Sequence, residues 1–426
     1  MTDPATSRLA RRLGVGDAVV IGLGSMIGAG VFSAIGPAAR AAGTGLLIGL
    51  VIAALVAFCN ATSSAELAAV YPASGGTYVY GRERLGAFWG YLAGWGFVVG
   101  KIASCAAIAL TVGAYAAPSW QRAIAAAAVV GVVAVNYRGV RKTAALTRVI
   151  VAIVLAALAA VVVGCLFGGQ ATASHLNNDL IAGGWHGVLE SAGLLFFAFA
   201  GHARIATLGE EVDDPARTIP KAIPRALAIT LLVYLVVAVS ALAAVGPAAL
   251  ASSDAPLATA VRAGNLDVLT PAVRIGGTIA ALGVLLSLVA GVGRTSFAMA
   301  SDRELPKWLD AVHPTHKVPH RAELLVGVVV TAIVLVVDVR AAIGFSSVCI
   351  LTYYAIANAA AWTLPREQLR WPRALTALGF VGCALLAVML PVFSVFTGFG
   401  VLCLGAIIWL VRHRRHHGTR VSPSDP

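Results

Sequence analysis

Charged side chains are scarce in this chain of 426 residues. Asp, Glu, Lys and Arg together make up 12% of it, whereas 59% is hydrophobic. A water-soluble globule of this size needs far more polar surface to cover its core. The shortage therefore argues against a soluble enzyme or binding domain and indicates a protein embedded in a bilayer.

Cysteine is also rare, with six residues that all lie inside apolar runs and show no paired spacing. This pattern argues against a disulfide framework and a cysteine metal site. The histidines at 313, 316 and 320, and those at 413, 416 and 417, do not have the spacing of metal ligands either. We therefore expect neither a metal nor a cofactor.

Long hydrophobic runs are what the chain does have. About 20 apolar residues cross a hydrocarbon core of about 30 Å as a helix. The sequence predicts an all-α integral membrane protein of one polytopic domain, 1–426, with about twelve transmembrane helices. The predicted spans are 16–40, 43–70, 87–116, 121–137, 143–168, 186–209, 222–246, 270–299, 322–338, 341–363, 373–391 and 394–411.

The basic residues have an uneven distribution that predicts the orientation. A formal net charge of +12 by itself also suits nucleic-acid binding. However, 23 of the 31 Lys and Arg residues fall on the side of the N-terminus: Arg8, Arg11, Arg12, Arg82, Arg84, Arg138, Arg141, Lys142, Arg148, Arg217, Lys221, Arg225, Arg303, Lys307, Lys317, Arg321, Arg366, Arg370, Arg373, Arg412, Arg414, Arg415 and Arg420. By the positive-inside rule, both termini are predicted to be cytoplasmic. We expect the lipid bilayer, and not nucleic acid, to be the partner, in a bacterial inner (plasma) membrane.

Glycine interrupts the first span at its centre, in GSMIGAGVF (24–32). Glycine neither stabilises a helix nor shields its backbone, so we expect a break there that frees N–H and C=O groups. The alternative is a close helix-packing face, because Gly24 and Gly28 form a GxxxG pattern. A second interruption follows at Gly201 in span 6, within FFAFAGHARIATLGEEVDDPARTIPKAI (196–223).

Two interrupted spans in matching positions are typical of secondary transporters with inverted repeats. The predicted repeats cover about 16–168 and 186–363, each with five spans. Because five is odd, the second repeat starts on the opposite face of the membrane. Helices 11 and 12, at about 373–411, are then an addition to the two repeats.

Four segments resemble the amino acid-polyamine-organocation (APC) superfamily of permeases, which have this five-plus-five fold. They are GSMIGAGVF, the segment AELAAVYPASGGTYVYGRERLGAFWGYLAGW (65–95), the span 6 segment above and RTSFAMASDRELP (294–306). The resemblance implies transport of amino acids or related amines. It implies further that Ile27, Gly28, Ala29 and Gly30 bind the substrate carboxylate through their backbone, and that Phe199, Ala200, Gly201 and His202 accept its ammonium.

The chain departs from the family pattern at two places. Gly201 is followed by His202 and Ala203 where the family usually has an aromatic and then an acidic residue. Span 5 has Val154 where several proton-coupled relatives have a lysine. Lys101, in the centre of span 3, is the candidate for the coupling role, because a buried charge is costly and often functional. The alternative is a structural lysine that pairs with carbonyls.

Together these features predict a secondary active amino acid permease that works by alternating access and takes up a neutral amino acid with protons. A cationic amino acid or polyamine transporter, an exchanger, and a non-transporting amino acid sensor remain alternatives. An enzyme is not expected, because no carboxylate or activated nucleophile lies beside Lys101 and His202 at mid-depth.

Overall fold

The computed structural model describes residues 14–71, 75–139, 144–176, 181, 183–202, 212 and 215–418, and it is built from α-helices. We number them along the chain. They are α1 (Val15–Met26), α2 (Ala29–Ala42), α3 (Leu46–Val70), α4 (Thr77–Leu85), α5 (Ala87–Ala116), α6 (Gln121–Tyr137), α7 (Ala144–Phe167), α8 (Gly184–Phe199), α9 (Pro215–Ala251), α10 (Pro256–Arg262), α11 (Thr270–Ser301), α12 (His320–Val336), α13 (Val339–Trp362), α14 (Arg373–Met389) and α15 (Val392–Gly418).

Each predicted span overlaps one helix, except span 1, which is divided between α1 and α2. Among the described residues, eight helical regions are long and apolar enough to cross a membrane, and α1 and α14 are shorter apolar helices. The all-α, multi-span membrane architecture is therefore confirmed. Its apolar outer surface includes exposed side chains such as Phe393 and Phe396, which suit contact with lipid.

The predicted bounds of spans 6 and 7 were wrong. Span 6 was predicted to run to residue 209, but α8 ends at Phe199 and a turn follows; residues 203–209 lie outside the described residues. Span 7 was predicted over 222–246, whereas α9 covers Pro215–Ala251 with a kink at Gly246, where φ is 69°. Proline is tolerated in the first turn of a helix, which explains the early start at Pro215.

Two short helices were missed because they are not apolar runs. Helix α4 carries the sequence TYVYGRERL and joins spans 2 and 3, and α10 joins spans 7 and 8. The boundary between spans 9 and 10 was predicted to within two residues. Asp338 caps the start of α13 there: its carboxylate accepts a hydrogen bond of 2.8 Å from the N–H of Ala341.

Helix pairs in the second half of the chain repeat those in the first half. Helix α3 packs on α8, and correspondingly α9 packs on α1 and α2. Helix α5 packs on α13, as α11 packs on α7, and the neighbours α5 and α6 correspond to α11 and α12. This arrangement brings the end of α8 against the junction of α1 and α2.

Candidate functional site

The predicted break in span 1 is present. Helix α1 ends at Met26, and α2 begins at Ala29, with Ile27 and Gly28 between them in non-helical conformations. Neither Gly28 nor Gly30 has room for a side chain. A Cβ would lie 2.5 Å from Val284 Cγ2 at Gly28 and 2.5 Å from the Cα of Ala198 at Gly30. Because the obstacle at Gly30 is backbone, it cannot move aside as readily as a side chain.

The break leaves backbone donors free. The N–H groups of Ala29 and Gly30 donate to no acceptor in the described part of the chain, as expected for the first turn of a helix. Gly28, which precedes that turn, provides no side-chain cap. This end of α2 therefore presents N–H groups and the positive end of a helix dipole, both of which favour an anionic group.

The end of α8 lies directly against this break. Gly201 packs on the carbonyl of Ser25 so closely that a Cβ would overlap the oxygen, and Ala198 packs on Gly30. The predicted site residues Ile27, Gly28, Ala29 and Gly30 are thus brought next to Phe199, Ala200 and Gly201. The sequence had placed these groups about 170 residues apart, and only the fold makes them neighbours.

Tyr234 of α9 joins the two segments, and the sequence analysis missed it. Its hydroxyl lies 2.5 Å from the carbonyl oxygen of Met26 and 3.2 Å from that of Ala198. Because the hydroxyl has one proton, it donates to one of these carbonyls at a time. A signal was available, since a tyrosine inside an apolar span needs a partner for its hydroxyl.

His202 is fully buried at the end of α8. Its Nδ1 lies 2.8 Å from the carbonyl oxygen of Phe199, so Nδ1 carries the hydrogen and Nε2 of the neutral ring is an acceptor. No described residue bonds to Nε2. The ring lies against Tyr354 of α13, with 4.8 Å between the ring centroids. The Phe199 carbonyl, predicted to bind the substrate ammonium, thus already accepts a hydrogen bond from His202.

Lys101 lies midway along α5 and is 8% exposed. Within the described part of the chain, its electrostatic neighbours are Cys105, one turn further along α5, and His202. No carboxylate is paired with it there. Lys101, the predicted coupling residue, therefore lies near His202, the predicted pocket residue. It lacks the counter-ion that a structural cation usually has.

Ion pairs lie at both ends of the bundle. Arg340 at the start of α13 forms an ion pair of 2.6 Å with Glu190 of α8, on the side opposite the N-terminus. On the N-terminal side, Arg82 of α4 forms ion pairs with Asp302 and Glu304 after α11. These contacts connect different helices at both ends of the bundle.

Three histidines that are distant from the break form a cluster. The rings of His313, His316 and His320 surround Tyr137 at the end of α6, with ring centroids 5.1, 6.2 and 6.0 Å from that of Tyr137. Burial, and then the neighbouring His316 and His320, lower the pKa of His313. Within the described ranges, no group of three His, Cys, Asp or Glu residues has the geometry to hold a metal ion.

Comparison with known proteins identifies relatives that are membrane transporters. The family model described as amino acid permease matches residues 13–410. An uncharacterized transporter of Mycobacterium tuberculosis (strain ATCC 25618 / H37Rv) is 61% identical over 404 residues, which cover 95% of this chain and 92% of that protein. The branched-chain amino acid permease BcaP of Bacillus subtilis (strain 168) is 26% identical over 95% of this chain and 91% of its own length.

A plant relative is named for a different class of substrate. The chloroplastic cationic amino acid transporter 6 of Arabidopsis thaliana is 26% identical over 372 residues, covering 80% of this chain and 64% of that protein. The family and these relatives are transporters and not enzymes, which confirms the predicted class and the resemblance. The chain is a multi-pass membrane transporter with bacterial relatives, and it belongs to the amino acid permease family.

Proposed function

We propose that the chain is a secondary active transporter that binds an amino acid at the junction of α1, α2 and α8 and works by alternating access. The observation that carries this proposal is the contact of the two interrupted segments beside free N–H groups at Ala29 and Gly30. The substrate carboxylate binds these N–H groups. Its ammonium binds the carbonyls of Ala200 and Gly201, because the Phe199 carbonyl is bonded to His202.

A neutral amino acid is the substrate class that the charges favour. Lys101 and His202 lie beside the junction, and neither has an acidic neighbour within the described residues. A cationic side chain would meet a positive charge there without a carboxylate to offset it. The name of the branched-chain permease relative also supports a neutral substrate. The name of the plant relative keeps a cationic amino acid or polyamine as the second candidate.

Proton coupling is assigned to Lys101. Val154, at the position where several proton-coupled relatives have a lysine, is fully buried and cannot titrate. A lysine inside an apolar bundle, without a fixed counter-ion, is suited to gain and lose a proton during the transport cycle. Because Lys101 acts electrostatically on His202, a change in its protonation also affects the substrate junction.

The two halves of the chain are proposed to be inverted repeats that rock against each other. The corresponding helix pairs α3–α8 and α9–α1, and α5–α13 and α11–α7, support this division. The short helices α4 and α10 also occupy corresponding positions, between the second and third helix of each half. The distribution of Lys and Arg supports cytoplasmic termini in an inner (plasma) membrane.

Counterflow in proteoliposomes tests the proposal. Vesicles with purified protein are loaded with one unlabelled amino acid, and entry of the same labelled compound is followed. We expect exchange of neutral amino acids, with loss of at least 90% of it in Gly30→Ala, because the new Cβ meets backbone at Ala198. Gly291→Ala is the matched control, since no atom lies within 4 Å of a Cβ there.

Two results contradict the proposal. Binding of amino acids without any counterflow indicates a sensor. Full exchange by Gly30→Ala shows that the junction of α2 and α8 does not form the site. Exchange of arginine or a polyamine with no exchange of leucine reverses the substrate assignment and leaves the site assignment intact.

A further inference from the structure

A surface groove of about 740 Å³ lies on the membrane side opposite the N-terminus, where α5 ends and α11 begins. Its polar lining includes Arg262, Asp267, Thr270 and Arg274 beside the tyrosine and alanine that end α5. Neither the junction of α1, α2 and α8 nor Lys101 contributes to it. The groove is therefore separate from the proposed transport site.

Thr270 is the first indication that this groove receives a ligand. The residue is 7% exposed, and its hydroxyl has no hydrogen-bond partner among the described residues. Burying a polar group without a partner is energetically unfavourable, so such groups usually have one. A ligand atom in the groove provides a partner.

The position of this hydroxyl at the start of α11 favours an anionic oxygen as the ligand atom. Thr270 is the first residue of this 32-residue helix, and the preceding Leu269 provides no side-chain cap. The N–H of Thr270 donates to the carbonyl of Asp267 and Pro271 has no N–H, so the helix contributes the positive end of its dipole here. An oxygen of a phosphate fits both the free hydroxyl and this helix end.

The charges around the groove have both signs. Arg262 and Arg274 provide two cations, and Asp267 provides one carboxylate. None of the three forms an ion pair within 4 Å in the described part of the chain. They are therefore available to a ligand that carries a negative and a positive group.

The other wall of the groove is apolar. Ile275 and Ile279 line it, one turn apart on α11, and Ile275 is 59% exposed. In a membrane-spanning helix, such a side chain faces hydrocarbon. The groove thus combines a polar end near the membrane surface with an apolar wall that extends toward the bilayer core.

We propose that this groove binds a phospholipid whose headgroup has a phosphate and a primary ammonium, as in phosphatidylethanolamine. The phosphate binds Arg262, Arg274 and the Thr270 hydroxyl, the ammonium binds Asp267, and an acyl chain lies along Ile275. A choline headgroup fits less well, because its quaternary ammonium has no N–H to donate. A glycerol headgroup leaves Asp267 without a cation.

Native mass spectrometry of delipidated protein tests the proposal. Phosphatidylethanolamine, phosphatidylglycerol and phosphatidylcholine with identical acyl chains are titrated separately. We expect one phosphatidylethanolamine to be retained at a concentration at least fivefold lower than either other lipid. Arg262→Gln/Arg274→Gln raises that concentration about tenfold, and Asp267→Asn removes the preference over phosphatidylglycerol. Arg122→Gln is the matched control, because Arg122 lies on the same membrane side and does not line the groove.

A thermal-melting series accompanies this titration. Thr270→Val tests the hydroxyl alone and keeps the proposal testable if the double arginine variant fails to fold. Equal retention of the three lipids, or unchanged retention by the double variant and by Thr270→Val, overturns the proposal. Inorganic phosphate that raises the melting temperature as much as phosphatidylethanolamine also overturns it, because the groove then binds a free anion.

Discussion

Lys101 and Arg340 are two cations in the same bundle, with different surroundings. Arg340 lies at the start of α13 and forms an ion pair with Glu190, with side-chain exposures of 33% and 11%. Lys101 lies in the middle of α5, where insertion of a charge costs about 2.5–3.5 kcal/mol, and it has no carboxylate partner in the described part of the chain.

The difference separates two uses of charge in a membrane. A fixed pair neutralises itself and connects two helices, so it is suited to hold a structure. An unpaired lysine beside the substrate junction has no such use, but it is suited to bind a proton in one state of the transporter and release it in another. We expect the two residues to respond differently to the same kind of substitution.

The largest effect is expected at Lys101. Lys101→Met removes the group that titrates, so accumulation driven by an imposed pH gradient should fall at least tenfold while exchange persists. Lys101→Arg should fail as well, because the guanidinium does not release its proton in proteins. Proteoliposomes with and without the gradient provide the measurement. If Lys101→Arg still accumulates substrate, Lys101 acts as a structural cation. It then does not differ in role from Arg340.

Arg340→Met is expected to reduce stability more than transport. It leaves the largely buried Glu190 carboxylate without its partner, at a cost of about 1–3 kcal/mol. Arg340→Met/Glu190→Gln should recover much of this loss, because neither charge is then left alone. Thermal melting of the purified variants measures both effects. If the double variant is as unstable as the single one, the ion pair is not what stabilises this end of the bundle.

His202→Phe tests whether the residue near Lys101 takes part in substrate binding and proton coupling. An aromatic ring preserves the packing against Tyr354, but it cannot titrate and loses the bond to Phe199. We expect transport to continue at a rate within about fivefold of the native rate, with an altered substrate selectivity or pH dependence. An unchanged pH curve and substrate profile would separate His202 from both the site and the coupling.

The smallest effect is expected at the histidine cluster, which lies apart from both cations. Because the pKa of His313 is lowered in the folded protein, the unfolded loop binds a proton more readily. The cluster is then stable above about pH 6.5 and weakens as the pH falls below it. Amide exchange of residues 313–320 at pH 5.5 and 7.5 measures this. His316→Asn should reduce the difference between the two pH values; an equal difference would contradict the role of His316.

Much of the architecture was predictable because its signals are local. The apolar runs predicted where the long helices form, and GSMIGAGVF predicted the break in span 1. Helices α4 and α10 were missed, since short helices with mixed polarity have no such run. Tyr234 was missed for another reason: its role depends on two carbonyls from other helices, which no nearby residue reveals.

The sequence by itself determined that this chain lies in a membrane, where its long helices lie approximately and where the first span breaks, because hydrophobic length and glycine act on neighbouring residues. Only the tertiary structure decided which groups meet: Gly30 with Ala198, Gly201 with Ser25, and Arg340 with Glu190. It also placed Lys101 near His202 and left it without a carboxylate among the described residues. These contacts depend on how separate helices pack, and packing joins residues whose separation in the sequence has no bearing on their distance in space.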